Sequence, residues 1–242
     1  MTTAADPPPL VVLPGGLGVA DGGGEALATL AQGRRLERVD YAGLRDFDSL
    51  LDRVLRAAGN AARFDLIGFS IGGWFAQCVA AQAPDAVRKV VLAHSFLLEP
   101  KLRWRFAAAL KIWPLLPRSV VRAGVMRRLR VALEPLETTK PETHEETVRA
   151  VAETLSRSDT IDLLIAQQHL IHDSLAHPLG PVTAPMLIVD SSTDPLVGAK
   201  ARARLRSEYP KAEHVGFRGA GHISALVEPE RFATAVDTFL RA

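Results

Sequence analysis

Six short runs of apolar residues are spaced along the chain, and longer segments with helical periodicity separate them. The runs are rich in β-branched residues, which is typical of strands buried inside a parallel sheet. They occupy residues 10–13, 35–40, 64–69, 88–93, 186–190 and 213–217. This alternation predicts an α/β fold with right-handed crossovers, in which a mostly parallel sheet of about six strands is flanked by helices.

The segments between the runs have the apolar spacing of amphipathic helices. In the clearest one, apolar residues recur on one face of residues 47–55, and Gly59 ends the pattern. Further helices are predicted at 72–87, 197–210 and 228–242. Each of these helices follows a predicted strand, as crossover connections require.

Residues 97–178 break the alternation, because they contain helical patterns and prolines but no clear strand. The segment is too long for a single crossover between neighbouring strands. We therefore predict a helical cap at residues 97–178, inserted into a core formed by residues 1–96 and 179–242.

The first part of the predicted cap is strongly basic, since residues 101–130 contain nine Lys or Arg and no Asp or Glu. We favour a solvated basic face with Trp104, Phe106 and Trp113 packed beneath it, because runs of charge usually face solvent. The alternative is a cationic lid that attracts an anionic substrate, a carrier or a membrane surface.

Composition narrows the function classes. With 242 residues, 48% of them hydrophobic, the chain is long enough for one large core. The formal net charge of +2 gives no global field that would attract nucleic acid. No secretory signal or membrane-spanning stretch is visible, and the single cysteine, Cys78, has no partner for an internal disulfide. These features favour a cytoplasmic protein.

A serine between glycines, Ser70, lies where the third apolar run meets the following helix. Together with Gly68 and Gly72 it forms the pattern G-x-S-x-G, which marks a sharp strand-to-helix turn that exposes the serine hydroxyl. A β-carbon at either glycine would collide with the neighbouring backbone, and Gly73 lets the helix pack closely. The helix N-terminus below the hydroxyl favours developing negative charge. The pattern predicts a nucleophilic serine in a strained turn.

A serine hydroxyl is a weak nucleophile that needs a base, and the base needs an orienting acid. His222 follows the last predicted strand and Asp194 follows the strand before it. Loops after parallel strands meet at the carboxyl edge of the sheet, so these two residues can converge there with Ser70. Asp190 is the competing candidate for the acid.

Two backbone N–H groups are expected to bind the oxyanion that forms when the serine attacks a carbonyl. Ile71 supplies one of them, because it follows the nucleophile. The second is expected from the glycine-rich loop after the first strand, from Gly16, with Leu17 as the next choice.

Three motifs together resemble the α/β-hydrolase superfamily, over about residues 10–241: "GFSIGG" at 68–73, "STDPLV" at 192–197 and "GAGHISALVEPERF" at 219–232. Two features differ from the family pattern. Pro14 stands where a histidine is common before the oxyanion loop, and the leading antiparallel hairpin of the family is not expected. The segments at 93–96 and 206–222 are similar to the maspardin branch, some members of which serve as binding proteins with incomplete triads.

The motifs and the resemblance imply a cofactor-independent serine hydrolase that cleaves a carboxylic ester or thioester of a small acyl substrate. Amide cleavage, perhydrolysis and C–C cleavage stay open, because the same groups support each reaction. The alternatives are a thioesterase or cyclase acting on a carrier-bound acyl chain, and a non-catalytic binding protein of the same fold. No cofactor-binding or metal-binding pattern stands out.

His94 and Ser95 end the fourth predicted strand. Their side chains could border the pocket or serve only in packing, and the sequence leaves both interpretations open.

Overall fold

The computed structural model describes residues 7–16, 24–156 and 158–242, and its centre is one six-stranded sheet. The strands are β1 (Leu10–Leu13), β2 (Leu36–Arg38), β3 (Phe64–Phe69), β4 (Val87–Ala93), β5 (Met186–Ser191) and β6 (Glu213–Phe217). Their order across the sheet is β2-β1-β3-β4-β5-β6, and every pairing is parallel. The predicted α/β fold is confirmed.

Ten α-helices connect the strands or follow them in the described part of the chain. They are α1 (Gly24–Leu30), α2 (Phe47–Ala58), α3 (Ile71–Gln82), α4 (Arg103–Ile112), α5 (Arg118–Thr139), α6 (Pro141–Ser156), α7 (Ser158–Ser174), α8 (Ala199–Glu208), α9 (Ser224–Val227) and α10 (Pro229–Arg241). The start of α2 is capped by Asp46, whose side chain accepts a hydrogen bond from the backbone N–H of Ser49 at 2.8 Å. The predicted end at Gly59 is also observed, with a φ of 67° that glycine adopts without strain.

The second strand is shorter than its sequence pattern, since only Leu36–Arg38 pair with the sheet instead of residues 35–40. This strand lies at the edge and pairs with β1 alone, and β1 itself has four residues. A short edge strand leaves few unpaired backbone groups at the edge of the sheet.

Two apolar layers cover the sheet, because the pleat sends alternate side chains of each strand to opposite faces. On one face, Val11, Leu13 and their counterparts in β3 and β4 pack with α2 and α3. On the other face, Leu10, Val12 and their counterparts pack with α1 and α10. The carboxyl ends of the strands lie at one edge, between the two layers, where the loops carrying the candidate site residues begin.

Within residues 97–178 the described elements are α4 to α7 and two 3₁₀ turns, Pro100–Leu102 and Trp113–Leu115, with no strand among them. A third apolar cluster joins α5 and α6, and it includes Ile223, the neighbour of His222 in the chain. Helix α5 also approaches Gly221 so closely that a Cβ there would lie 2.6 Å from Cγ of Pro135. The division of the chain into core and cap stays a prediction.

No helix of the described ranges has both the length and the apolar character that crossing a bilayer requires.

Candidate active site

Ser70 lies in a strained turn between the end of β3 and the start of α3. Its φ of 51° and ψ of −117° are rarely adopted by residues other than glycine. Three hydrogen bonds hold the turn: Ser70 N–H donates to the carbonyl of Ala93 at 2.8 Å, and the Ser70 carbonyl accepts from Gly73 N–H and from Ser95 Oγ–H, both at 3.0 Å. The strain is therefore stabilised by the adjacent strand β4 and by the first turn of α3.

The glycines around Ser70 allow a close approach of backbones, as the sequence predicted. A Cβ on Gly68 would lie 2.6 Å from the Cα of Gly73, and one on Gly72 would overlap the carbonyl oxygen of Leu13. A Cβ on Gly73 would overlap the side chain of Ser95. Larger residues at these positions would force α3 away from β3, from the loop after β1 or from β4.

Asp194 and His222 are brought together from the loops after β5 and β6. The Nδ1 atom of His222 lies 2.8 Å from Oδ2 of Asp194. The other carboxylate oxygen, Oδ1, accepts the backbone N–H groups of Leu196 and Val197 at 2.9 and 2.8 Å. Both residues of the pair are buried, so the hydrogen bond lies in a medium of low dielectric constant.

Asp190, the competing candidate for the acid, pairs with other side chains. Its Oδ1 lies 3.1 Å from Nε2 of His214, and its Oδ2 pairs with the guanidinium of Arg206. The structure thus places Asp194, and not Asp190, against His222.

Asp194 is held as a carboxylate. Burial would raise its pKa, but hydrogen bonds from His222, from His94 and from the backbone N–H of Val197 outweigh burial and hold the pKa well below its usual value. An ionised Asp194 can fix the orientation of the His222 ring and stabilise its cation.

Ser70 and His222 line the same cavity, together with Gly15, Gly16 and Ile71. No hydrogen bond among the described residues joins Ser70 Oγ to His222. Bonds between a nucleophile and its base are often loose before substrate binds. The pairing of Ser70 with His222 stays a prediction.

The two expected oxyanion donors lie at this cavity as well. Ile71 begins α3, and Gly16 ends the described part of the loop after β1. Leu17, the second choice for this role, lies outside the described residues. The assignment of either N–H group to an oxyanion is untested and stays a prediction.

Two hydrogen bonds to its carbonyl groups hold the loop that carries Gly16 in place. The Tyr41 hydroxyl donates to the carbonyl of Pro14 at 2.9 Å, and Nε2 of Gln167, from α7, donates to the carbonyl of Gly15 at 3.2 Å. The C=O and N–H of a trans peptide point in opposite directions. The bond to the Gly15 carbonyl therefore fixes the direction in which the Gly16 N–H points, a role for Gln167 that the sequence did not suggest.

The cavity has a volume of about 300 Å³ and a mostly apolar wall. Apolar lining residues are Phe96, Leu98, Phe106, Trp113, Val125, Leu129, Ala132, Leu164, Ile171 and Leu196, and the polar ones away from the serine are Arg128, Gln167 and Gln168. Most of these residues belong to the segment 97–178. Such a wall can hold an apolar chain, with Ser70 at one side.

The basic face of residues 101–130 is solvent-exposed at all nine of its Lys and Arg residues. Phe106 and Trp113 point inward and line the cavity. The expectation that Trp104 also packs beneath this face is wrong, because 69% of its surface is exposed. Trp104 lies on α4, none of whose residues is fully buried.

A second histidine, His94, is bonded to the same carboxylate and was not assigned a role from the sequence. Its Nδ1 lies 3.1 Å from Oδ2 of Asp194. Its position directly after a central strand, beside the nucleophile's strand, was the only signal in the sequence. Among the described residues, His94, Asp194 and His222 form the one group with metal-ligand chemistry, with donor atoms within 4.8 Å of one another. Since both nitrogens of His94 are engaged in hydrogen bonds, we assign no metal there.

A family model described as "Alpha/beta hydrolase family" matches residues 10–235. A pimeloyl-[acyl-carrier protein] methyl ester esterase of Nitrosomonas europaea is 27% identical over 97% of this chain and 96% of that protein. The structure of MenH from S. aureus matches with a TM-score of 0.75 and 15% identity, over 99% of this chain and 95% of that one. The enol-lactonase from Burkholderia xenovorans LB400 matches with a TM-score of 0.73 and 17% identity, over 98% and 92%. The family model and both solved structures agree on the fold.

Proposed function

The chain belongs to the alpha/beta hydrolase family and is a hydrolase, and from this premise we propose that it cleaves a carboxylic ester or thioester through an acyl-enzyme on Ser70. The observation that carries the proposal is the buried Asp194–His222 pair at a cavity that Ser70 also lines. Ser70, His222 and Asp194 are the proposed triad.

In the first half of the reaction, Ser70 Oγ attacks the substrate carbonyl carbon while Nε2 of His222 takes the hydroxyl proton. The carbonyl π electrons move onto oxygen, and the N–H groups of Ile71 and Gly16 bind the oxyanion. Asp194 stabilises the imidazolium through Nδ1–H. When the carbonyl re-forms, the bond to the leaving alcohol or thiol breaks, and His222 returns the proton to that group.

In the second half, a water molecule replaces the alcohol. His222 takes one of its protons as the water oxygen attacks the acyl carbon, and the same two N–H groups bind the second oxyanion. Collapse breaks the bond to Ser70 Oγ, which recovers its proton from His222. The products are the free acid and the unchanged enzyme, and no cofactor enters the proposed cycle.

The test is reaction with a fluorophosphonate probe, read by intact mass, in parallel with hydrolysis of a small neutral ester. We expect the wild-type protein to be labelled once and Ser70→Ala not at all, with turnover reduced by about 10⁴ or more. Ser207→Ala, an exposed serine on α8, is the matched control and should behave as wild type. A folded wild-type protein that takes no label, or a Ser70→Ala variant that keeps its turnover, would refute the proposal and favour a non-catalytic binding protein.

A finer proposal is that the substrate is an acyl ester bound to a carrier protein. Two observations support it: the relative from Nitrosomonas europaea is named for such a substrate, and the nine exposed cations lie in residues 101–130, a segment that also contributes Arg128 and apolar residues to the cavity wall. A carrier that presents phosphate and acidic side chains would be attracted to this face. A cytoplasmic location is part of this proposal.

Reversing charges on the basic face of residues 101–130 distinguishes the hydrolysis of a carrier-bound ester from that of a free ester. We expect Arg127→Glu with Arg130→Glu, both exposed on α5, to lower kcat/KM for a carrier-bound ester by about tenfold at low salt and to flatten its salt dependence. Hydrolysis of a small neutral ester should not change. Lys200→Glu with Lys211→Glu, exposed and outside the segment 97–178, is the control for net charge. An equal response of both double variants would exclude a local carrier surface.

A further inference from the structure

His94 occupies a strained position at the carboxyl edge of the sheet. It directly follows β4, and its φ of 50° lies in the left-handed region that residues other than glycine seldom adopt. Its backbone N–H donates to the carbonyl of Val189 at 2.8 Å, and 3% of the residue is exposed. Together with Ser70, it is one of two residues other than glycine with positive φ in the described part of the chain. Strained backbone conformations cluster at functional sites, so we expect this buried, titratable side chain to have a specific role at the candidate active site.

The hydrogen bonds of His94 fix its tautomer. The backbone N–H of Ser224 points at Nε2 of His94 from 3.2 Å, and a backbone N–H can only donate. Nε2 is therefore unprotonated, and Ser224 Oγ, 2.7 Å away, donates to it as well. The proton must lie on Nδ1, which donates to Oδ2 of Asp194 at 3.1 Å.

One oxygen of Asp194 therefore accepts hydrogen bonds from two histidines. Oδ2 accepts from Nδ1 of His222 at 2.8 Å and from Nδ1 of His94 at 3.1 Å. The two imidazole rings are tilted by 60°, with centroids 5.4 Å apart. Oδ1 is already filled by two backbone donors, so the carboxylate cannot rotate without losing a bond.

His94 also joins three catalytic loops. It directly follows β4, it bonds Asp194 in the loop after β5, and it bonds Ser224, which begins α9 two residues after His222. A single side chain thus connects the acid to the segment that carries the base. His94 itself is not among the residues that line the cavity, so it does not meet the substrate there.

The titratable groups that act electrostatically on His94 are Asp190 in β5, Asp194 in the loop after it, and His222 in the loop before α9. Burial lowers the pKa of His94, outweighing the hydrogen bond that His94 donates to Asp194 and the attraction of both carboxylates. His94 is accordingly neutral beside an ionised Asp194, which agrees with the tautomer fixed by Ser224.

Resting on the function proposed above, we propose that His94 is a positioning residue for the Asp194–His222 pair. It holds the Asp194 carboxylate and the loop that carries His222 in a fixed position relative to each other. By sharing Oδ2, it also weakens the hydrogen bond through which Asp194 stabilises the His222 imidazolium.

Two substitutions separate this role from simple packing. His94→Leu removes the donor, whereas His94→Asn keeps an amide N–H near the place of Nδ1 and tolerates a positive φ. With His94→Leu we expect kcat to fall about tenfold and the low-pH limb of the kcat/KM profile to move up by about half a pH unit. His94→Asn should return the limb towards the wild-type position, although its bond to Ser224 is lost.

Active-site titration with the fluorophosphonate probe corrects each rate for the fraction of assembled enzyme. A purely structural role would lower that fraction and leave the pH limb of the remaining enzyme unchanged. An unmoved limb in His94→Leu, or a limb in His94→Asn no closer to wild type than in His94→Leu, would refute the proposal.

Imidazole ¹⁵N spectra of the resting protein test the arrangement without any turnover. The resonance lost in His94→Asn should be that of a neutral Nδ1–H tautomer, and its titration should lie below the usual range of a histidine. A protonated or Nε2–H His94 would overturn the assignment. If the wild-type protein neither takes the probe nor hydrolyses esters but His94 shows this tautomer, the proposed function fails while the bonding of His94 stands.

Discussion

Gln167 is the residue through which α7 holds the loop after β1, which carries the proposed oxyanion donor Gly16, and its replacement by leucine gives a quantitative test. The change keeps the size of the side chain and removes the donor to the buried carbonyl of Gly15. Helix α7 is itself fixed to the sheet layers, because Trp74 Nε1–H donates to Ser174 Oγ at 2.9 Å and Phe47 N–H donates to Asp173 Oδ2 at 2.8 Å. The tether therefore has a rigid support, and its loss is felt by the loop rather than by the helix.

The expected fall in kcat follows from the strength of the hydrogen bond that is lost. Removing an oxyanion donor outright costs about 10²–10³ in kcat, but Gln167→Leu keeps the Gly16 N–H and removes only the hydrogen bond to the carbonyl of the same peptide. A neutral hydrogen bond is worth about 1 kcal/mol, and a barrier change of that size lowers a rate about fivefold to tenfold. The bond from Tyr41 to the Pro14 carbonyl remains and keeps the loop near its place. We expect kcat to fall about fivefold to tenfold with little change in KM.

The assay is steady-state hydrolysis of a short neutral ester, with the active fraction counted by the fluorophosphonate probe. Gln168→Leu is the matched comparison, since Gln168 lines the same cavity and has no hydrogen bond to the loop carbonyls in the described structure. It should alter KM more than kcat. A Gln167→Leu variant with wild-type kcat, or one whose only defect is a higher KM, would show that the Gly15 bond does not position the oxyanion donor.

Two further changes give distinct outcomes. Gly68→Ala should destabilise the protein by about 1–3 kcal/mol and slow probe labelling, because the new Cβ meets the backbone of Gly73; unaltered thermal unfolding would contradict the close approach. Asp194→Asn should lower kcat by about 10⁴. The lowered pKa of Asp194 in the folded state stabilises the wild-type fold above the unfolded value of about 3.9, and this stabilisation is lost as the pH falls towards the folded value. The unfolding free energy of Asp194→Asn should therefore vary less with pH in the acid range, as urea titrations at several pH values would measure.

The sequence was sufficient for features that depend on local pattern and strand order. The turn at Ser70 needs glycines at fixed spacing, and the loops after β5 and β6 must open at the same sheet edge. From these two facts alone the neighbourhood of Asp194 and His222 could be predicted. The sequence favoured Asp194 but left Asp190 as a competing acid, and the two are separated only by their partners, His222 for Asp194 and Arg206 with His214 for Asp190.

The remaining features depend on contacts between distant segments, which periodicity does not encode. His94 contacts Asp194 and Ser224, each more than 90 residues away, and an isolated histidine after a strand carries no sign of either bond. Gln167 reaches Gly15 across a similar distance, from a helix whose placement no local pattern fixes. Trp104 was placed beneath the basic face by its aromatic character, but its helix α4 has no fully buried side that could receive it.

The cluster that joins α5 and α6 to Ile223 limits how freely this protein could be given a new substrate range. Exchanging residues 97–178 for the corresponding segment of another hydrolase would replace the cavity wall, and it would also remove Leu133 and Pro135, against which Ile223 and Gly221 rest. The cavity wall and the position of His222, the proposed base, therefore cannot be exchanged independently. A chimera would inherit the sheet and the turn at Ser70 intact, yet it would need a compensating change in residues 221–223 before His222 regained its place.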